Sequence, residues 1–129
     1  MLKKIIVTGG CGFIGHHFVE YIHKNTDWDI IILDMLSYAS LGLNRLRSNL
    51  LINSKRVKIF TIDLCNELSI GIKKEIGDDI SYIVHMAAET HVDNSIKDPV
   101  GIINNNINST VNLLEWARTL KNLEVFFYF

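Results

Sequence analysis

The sequence predicts an α/β protein built on a doubly wound parallel sheet with strand order 3-2-1-4-5. Three observations carry this expectation. Short β-branched runs alternate with stretches of helical periodicity along the chain. The first run, Ile5-Ile6-Val7, leads straight into a glycine-rich turn and then a helical pattern of Ile14, Phe18, Tyr21 and Ile22. The second run ends on an acid, Asp34, about twenty residues beyond that turn.

Taken in order, strand one is expected over residues 3–7 and helix one over 13–24, with Asn25 as its C-terminal cap. Residues 29–34 form strand two, apolar between its two aspartates as a strand buried on both faces must be. A short helix follows over 41–51, strand three over 57–62, helix three over 67–76 before Gly77, and strand four over 80–86. A long helix then covers 98–120, with Asp98 as N-cap and the chain's only proline, Pro99, at its first position. Its apolar stripe is Ile103, Ile107, Val111, Leu114 and Ala117, at helical spacing. Strand five occupies 124–129. With no internal repeat, low-complexity tract or linker, residues 1–129 are expected to make one domain, and 48% apolar content is enough for its core.

The formal net charge of −1 recruits neither nucleic acid nor an anionic membrane by bulk electrostatics. No apolar run has the length of a membrane span, and the N-terminal residues run into strand one without the apolar region of a signal peptide. The two cysteines, Cys11 and Cys65, have no metal-ligand spacing, which fits a reducing compartment. The expectation is a soluble cytoplasmic protein with no nucleic-acid or membrane partner and no bound metal.

The turn Val7-Thr8-Gly9-Gly10-Cys11-Gly12-Phe13-Ile14-Gly15 satisfies both Gly-x-Gly-x-x-Gly and Gly-x-x-Gly-x-x-Gly spacings. A turn this tight needs positive φ, and a pyrophosphate approaching the N–H groups at a helix start would be held off by a side chain. Gly9, Gly12 and Gly15 are therefore candidate dinucleotide-binding residues; a purely structural turn or a methyltransferase-type loop is the alternative. Asp34 stands where a carboxylate accepts from both ribose hydroxyls of an adenosine and repels a 2′-phosphate. Met35 offers no guanidinium to attract one, so NAD is expected rather than NADP. A solvated loop acid is the plainer reading. Asp63, ending strand three, falls beside the adenine edge in this topology or caps the next helix. Ala87 and Ala88, ending strand four, are small enough for a cofactor to lie against the backbone, or make a small core turn.

The run Thr8-Gly9-Gly10-x-Gly12-Phe13-Ile14-Gly15 resembles the extended short-chain dehydrogenase/reductase fingerprint. The segment Val84-His85-Met86-Ala87-Ala88-Glu89-Thr90-His91-Val92-Asp93-Asn94-Ser95-Ile96 more narrowly resembles the nucleotide-sugar 4,6-dehydratases, and within them the branch acting on dTDP-glucose. Asp34-Met35-Leu36-Ser37-Tyr38-Ala39, and Asn106 with Leu113-Leu114-Glu115, are similar to further pieces of that family, so the resemblance runs the length of the chain. It implies a Rossmann-type fold stopping after its fifth strand, NAD as cofactor, and a lyase that oxidises C4 of the sugar, eliminates water across C5–C6 and returns the hydride to C6. Carried over by position, Phe13, Ile14, Asp34, Leu36, Ser37, Asp63, Leu64, Ala87, Ala88 and Thr90 would line the cofactor, with Thr90 also approaching the sugar. Glu89, His91 and Asp93 would organise the loop after strand four, and His85 reads as a core histidine. Four positions depart from the family pattern: His16, Met35, Ser109, and Asn105, which stands where the resemblance implies a threonine contacting NAD.

The family's Tyr-x-x-x-Lys pair and its Asp-Glu acid and base are not found. Four residues after Tyr21, Tyr38 and Tyr82 stand Asn25, Gly42 and Met86, Tyr128 is followed only by Phe129, and no Asp-Glu dipeptide occurs. No catalytic residue is therefore assigned, the substrate-binding region is expected to be absent, and the chain alone is expected to be inactive. Whether it is itself an enzyme stays open. The alternatives are a non-catalytic NAD-binding or dimerising module, or part of a UDP-glucose 4,6-dehydratase or UDP-sugar epimerase. The resemblance implies a nucleotide-sugar substrate for the intact enzyme and a homodimer through the 98–120 helix. The apolar strand 124–129 offers an open edge for self-association instead.

Overall fold

The computed structural model describes residues 2–129; Met1, at the start of the expected domain, lies outside them. Five strands, β1 (Lys4–Thr8), β2 (Asp29–Asp34), β3 (Val57–Thr61), β4 (Tyr82–His85) and β5 (Val125–Tyr128), form one sheet in the order β3-β2-β1-β4-β5. Every neighbouring pair is parallel, with Ile6 beside Ile31 and Ile83, and Val84 beside Phe127. The expected topology is the one observed. Strand order reverses at the β1–β4 boundary, which opens a crevice at the C-terminal ends of these strands.

Alternate residues of the central strands enter two separate cores. Ile5, Val7, Ile30 and Ile32 pack with Val19 and Ile22 of α1 (Gly15–Asn25) and Leu46 of α2 (Asn44–Ser48). Ile6, Ile31, Leu33 and Ile83 pack on the opposite face with Ile76 of α3 (Ile70–Ile76) and Leu113 and Trp116 of α5 (Pro99–Ala117). Because both faces are covered, β1 and β2 need apolar side chains at every inner position. Each such side chain contributes roughly 1.5–3 kcal/mol on burial.

Element ends differ from the sequence expectation for local reasons. Helix one begins at Gly15 rather than Phe13, since residues 9–14 are used by the turn, and Thr26 rather than Asn25 caps it through a hydrogen bond to Ile22 O. The 41–51 helix is reduced to α2 between 3₁₀ turns at Tyr38–Ser40 and Leu51–Asn53, with Leu41 and Leu50 at positive φ. Helix three starts only at Ile70, because the Ser69 hydroxyl accepts the Ile72 N–H at 3.2 Å and caps it there. An additional helix, α4 (Val92–Lys97), fills the loop before α5; it buries no residue, so periodicity had no apolar face to reveal.

The outward stripe of α5, comprising Val100, Ile103, Ile107, Val111 and Leu114, is exposed. The face turned to the sheet is Ser109, Leu113, Trp116 and Ala117. β5 forms one edge of the sheet, with Val125, Phe127 and Tyr128 exposed.

Candidate functional site

A cleft of about 340 Å³ opens over the C-terminal ends of β1, β2 and β4. Its floor is the glycine turn. Gly9, at φ +69°, donates its N–H to Leu33 O at 2.9 Å and accepts the Gly12 N–H at 3.0 Å. A Cβ on Gly9 would stand 3.0 Å from the Ala87 Cα and N, so the turn lies directly on the loop leaving β4. A Cβ on Gly15 would stand 2.0 Å from Gly9 O, so the first residue of α1 must lack a side chain for the helix to start there. Gly12 is less confined, its nearest neighbour to such a Cβ being Gly9 O at 3.2 Å. No side chain caps α1 and no acid lies in its first turn, which leaves the positive end of the helix facing the cleft.

Asp34 ties the wall to the floor. Although buried, its carboxylate accepts the Cys11 N–H at 3.0 Å on Oδ2 and the Leu36 N–H at 2.8 Å on Oδ1, and each oxygen keeps further acceptor capacity. Beneath it the Cys11 thiol is pushed up to about 12, by burial first and then by the Asp34 charge, so it stays protonated and is no nucleophile.

Of the residues expected at a cofactor site, Gly9, Gly12, Phe13, Ile14, Gly15, Asp34, Ser37, Leu64, Ala87, Ala88 and Thr90 line this cleft. Leu36 and Asp63 do not. Leu36 packs against the core on the α1 side and serves the site through its N–H to Asp34. The Asp63 carboxylate turns back to accept the Cys65 N–H at 2.9 Å, while its main-chain oxygen accepts the Asn66 N–H at 3.1 Å. It shapes the turn after β3 and caps no helix, since α3 begins at Ile70 with Ser69 as its cap.

The cleft also takes Ile62 from the end of β3, Met35, and Asn105 and Ser109 from α5. The Cys65 thiol donates to Asn105 Oδ1 at 3.0 Å and is itself raised, chiefly by burial and then by Asp63. Asn105, which the resemblance sets at a cofactor contact, and Ser109 continue backwards the inward face marked by Leu113 and Trp116. At the mouth, Tyr38 Oη donates to Glu89 Oε2 at 3.3 Å and accepts from Asn94 Nδ2 at 2.9 Å, joining the loop after β2 to the loop after β4. Arg45 lies over the Phe13 ring, 5.7 Å from its centroid, and His16 Nδ1 meets Gly12 O at 2.9 Å. Among the described residues no three His, Cys, Asp or Glu side chains gather as a metal site, and no helix is long and apolar enough to cross a membrane. The arrangement can bind and orient: it offers an acceptor carboxylate, a glycine floor and apolar walls.

Residues 5–129 match the model of the NAD dependent epimerase/dehydratase family. The chain is 42% identical over 116 residues to a dTDP-glucose 4,6-dehydratase of Escherichia coli, covering 89% of this chain and 31% of that protein. It is 40% identical to the dTDP-D-glucose 4,6-dehydratase of Dictyostelium discoideum, covering 98% of this chain and 28% of that one. Among solved structures it superposes on UDP-glucuronic acid 4-epimerase from Bacillus cereus, in complex with NAD and a fluorinated UDP-sugar, with TM-score 0.80 and 29% identity over 97% of this chain and 39% of that one. UDP-glucose 4-epimerase from Thermus thermophilus, in complex with NAD, gives TM-score 0.73 and 28% identity over 93% of this chain and 36% of that one. The chain thus spans about a third of the length of the curated relatives it matches. On the family match across nearly its whole length, and on a sheet order and glycine-turn cleft of the same kind, this chain belongs to the NAD dependent epimerase/dehydratase family.

Proposed function

We propose that residues 1–129 are the NAD-binding portion of a nucleotide-sugar 4,6-dehydratase, of the branch converting dTDP-glucose to dTDP-4-keto-6-deoxyglucose. The glycine floor and the uncapped start of α1 receive the pyrophosphate, Asp34 the adenosine ribose, and Ile62 and Leu64 the adenine side. NAD, when bound, supplies the hydride acceptor and donor. The observation that carries the reading is the Asp34 carboxylate, lining the cleft and fastened to the turn by the Cys11 N–H at 3.0 Å. The chain carries no Tyr-x-x-x-Lys pair and no Asp-Glu dipeptide, and by itself it is expected to be inactive. A UDP-sugar epimerase remains the second reading, favoured by the solved structures it superposes on. The Ala87–Asp93 segment and the identity to dTDP-glucose dehydratases weigh against it. We also place the protein in the cytoplasm, as a homodimer through the exposed stripe of α5.

The test is calorimetric. NAD should bind roughly tenfold or more tightly than NADP, about 1.4 kcal/mol of preference or above. Asp34→Ala should remove that preference, because the repulsion of a 2′-phosphate goes with the carboxylate. Equal binding of both dinucleotides by the unaltered chain overturns the assignment.

A further inference from the structure

His85 ends β4 beneath the cleft, fully buried and bonded at both ring nitrogens. Nδ1 lies 2.7 Å from Thr8 Oγ1, and Nε2 lies 2.9 Å from Thr110 Oγ1. Counting protons fixes the direction of each bond. Thr8 Oγ1 already accepts two N–H groups, those of Met86 and Ala87, each at 3.0 Å, the Met86 N–H being shared with the Thr8 main-chain oxygen at 3.3 Å. A hydroxyl has two acceptor positions and one proton, so the Thr8 proton goes to Nδ1 and the ring proton sits on Nε2. Nε2–H then donates to Thr110, whose hydroxyl donates to Asn106 O at 2.8 Å. The Asn106 side chain in turn grips Glu89, its Oδ1 accepting the Glu89 N–H at 2.7 Å and its Nδ2 donating to Glu89 O at 3.0 Å. Ala87 is thus held from β1 and Glu89 from α5, with one imidazole between the two anchors.

We propose that His85 is a positioning residue which, as a neutral Nε2–H imidazole, fixes the Thr8 and Thr110 hydroxyls and through them the 86–89 loop that walls the dinucleotide cleft. The consequence for NAD affinity rests on the function proposed above; the consequence for the loop does not.

The arrangement has a direction in pH. Burial holds the imidazole below its ordinary value, so it is neutral near pH 7. Besides the two threonines, it faces the rings of Phe126 and Tyr128 of β5, at 6.3 and 5.6 Å between centroids, and of these Tyr128 is titratable. A second ring proton would arrive at Nδ1 and point at an oxygen whose acceptor positions are both taken, so the Met86 or Ala87 N–H must let go. Acid therefore loosens the loop, and NAD binding weakens by up to about tenfold for each pH unit below the titration.

The experiment is an NMR titration of the 15N-labelled chain from pH 7.5 downward, with NAD binding measured at the same pH values. The expected result is an Nε2–H tautomer for His85 at pH 7.5. The Met86, Ala87 and Glu89 amide signals should move with the His85 titration, and NAD affinity should fall with the same midpoint. Thr8→Ser should preserve this coupling and Thr8→Val should abolish it; should Thr8→Val fail to fold, the titration of the unaltered chain still decides. An Nδ1–H tautomer, or a His85 titration that leaves the Ala87 and Glu89 amides unmoved, overturns the proposal. If NAD fails to bind at any pH, the proposed function falls, while the amide coupling still decides the role of His85.

Discussion

Gly15→Ala is expected to destabilise the chain by about 3 kcal/mol or more, at the top of the range for overpacking. The added Cβ would fall 2.0 Å from Gly9 O and 2.9 Å from Gly10 Cα, and both are backbone atoms that cannot rotate away. Relief requires moving the first turn of α1, which pulls Val19 and Ile22 out of the core they share with Ile30 and Ile32. The melting temperature followed by circular dichroism should drop by roughly 10 °C, and NAD binding should vanish with the turn. Gly12→Ala is the matched comparison. Its Cβ would meet only Gly9 O, at 3.2 Å, so the protein should melt within a few degrees of the parent while a methyl group stands where the pyrophosphate is proposed to approach. One glycine is demanded by the fold and the other, on the function proposed, by the ligand. Equal melting of parent and Gly15→Ala would show that the turn and α1 are not packed as described.

The same contrast explains what was legible in the sequence. The strands were, because β1, β2 and β4 lie between two covered faces and must be apolar at nearly every position. The glycine turn and Asp34 were, because their relation is a short spacing within one strand–helix–strand unit. Asn105 was marked by resemblance alone and not by periodicity, because it and Ser109 reach the cleft through the packing of α5, which is apolar on two sides. The stripe from Ile103 to Leu114 that announces the helix points to solvent, whereas the inner face is mixed with Asn105, Asn106 and Ser109. Periodicity gives a helix its phase, but a helix with two apolar faces has no single phase to give. Asp63 shows the reverse case: a residue at a position the topology marks as useful, whose carboxylate is taken up by the turn that follows it.

That second apolar face leads to the other large effect. Val100, Ile103, Ile107, Val111 and Leu114 form a continuous exposed line along α5, with exposures from 67% at Val100 to 44% at Leu114. Val92 and Ile96 of α4 add exposed apolar surface just before it. Monomers seldom leave so much contiguous apolar surface in water. A helix seam of this spacing fits a copy of itself across a twofold axis, where each substitution counts twice. Ile107→Glu should therefore bring two like charges together at the centre of the proposed dimer. Light scattering should show the mass fall from twice 14.7 kDa to 14.7 kDa. NAD affinity at pH 7.5 should hardly change, because Ile107 faces away from the cleft-lining Asn105 and Ser109. An association that survives Ile107→Glu would move the contact to the free edge of β5, where Phe127 and Tyr128 are exposed beside unpaired backbone groups. In that case Phe127→Lys, and not a charge on α5, should release the monomer.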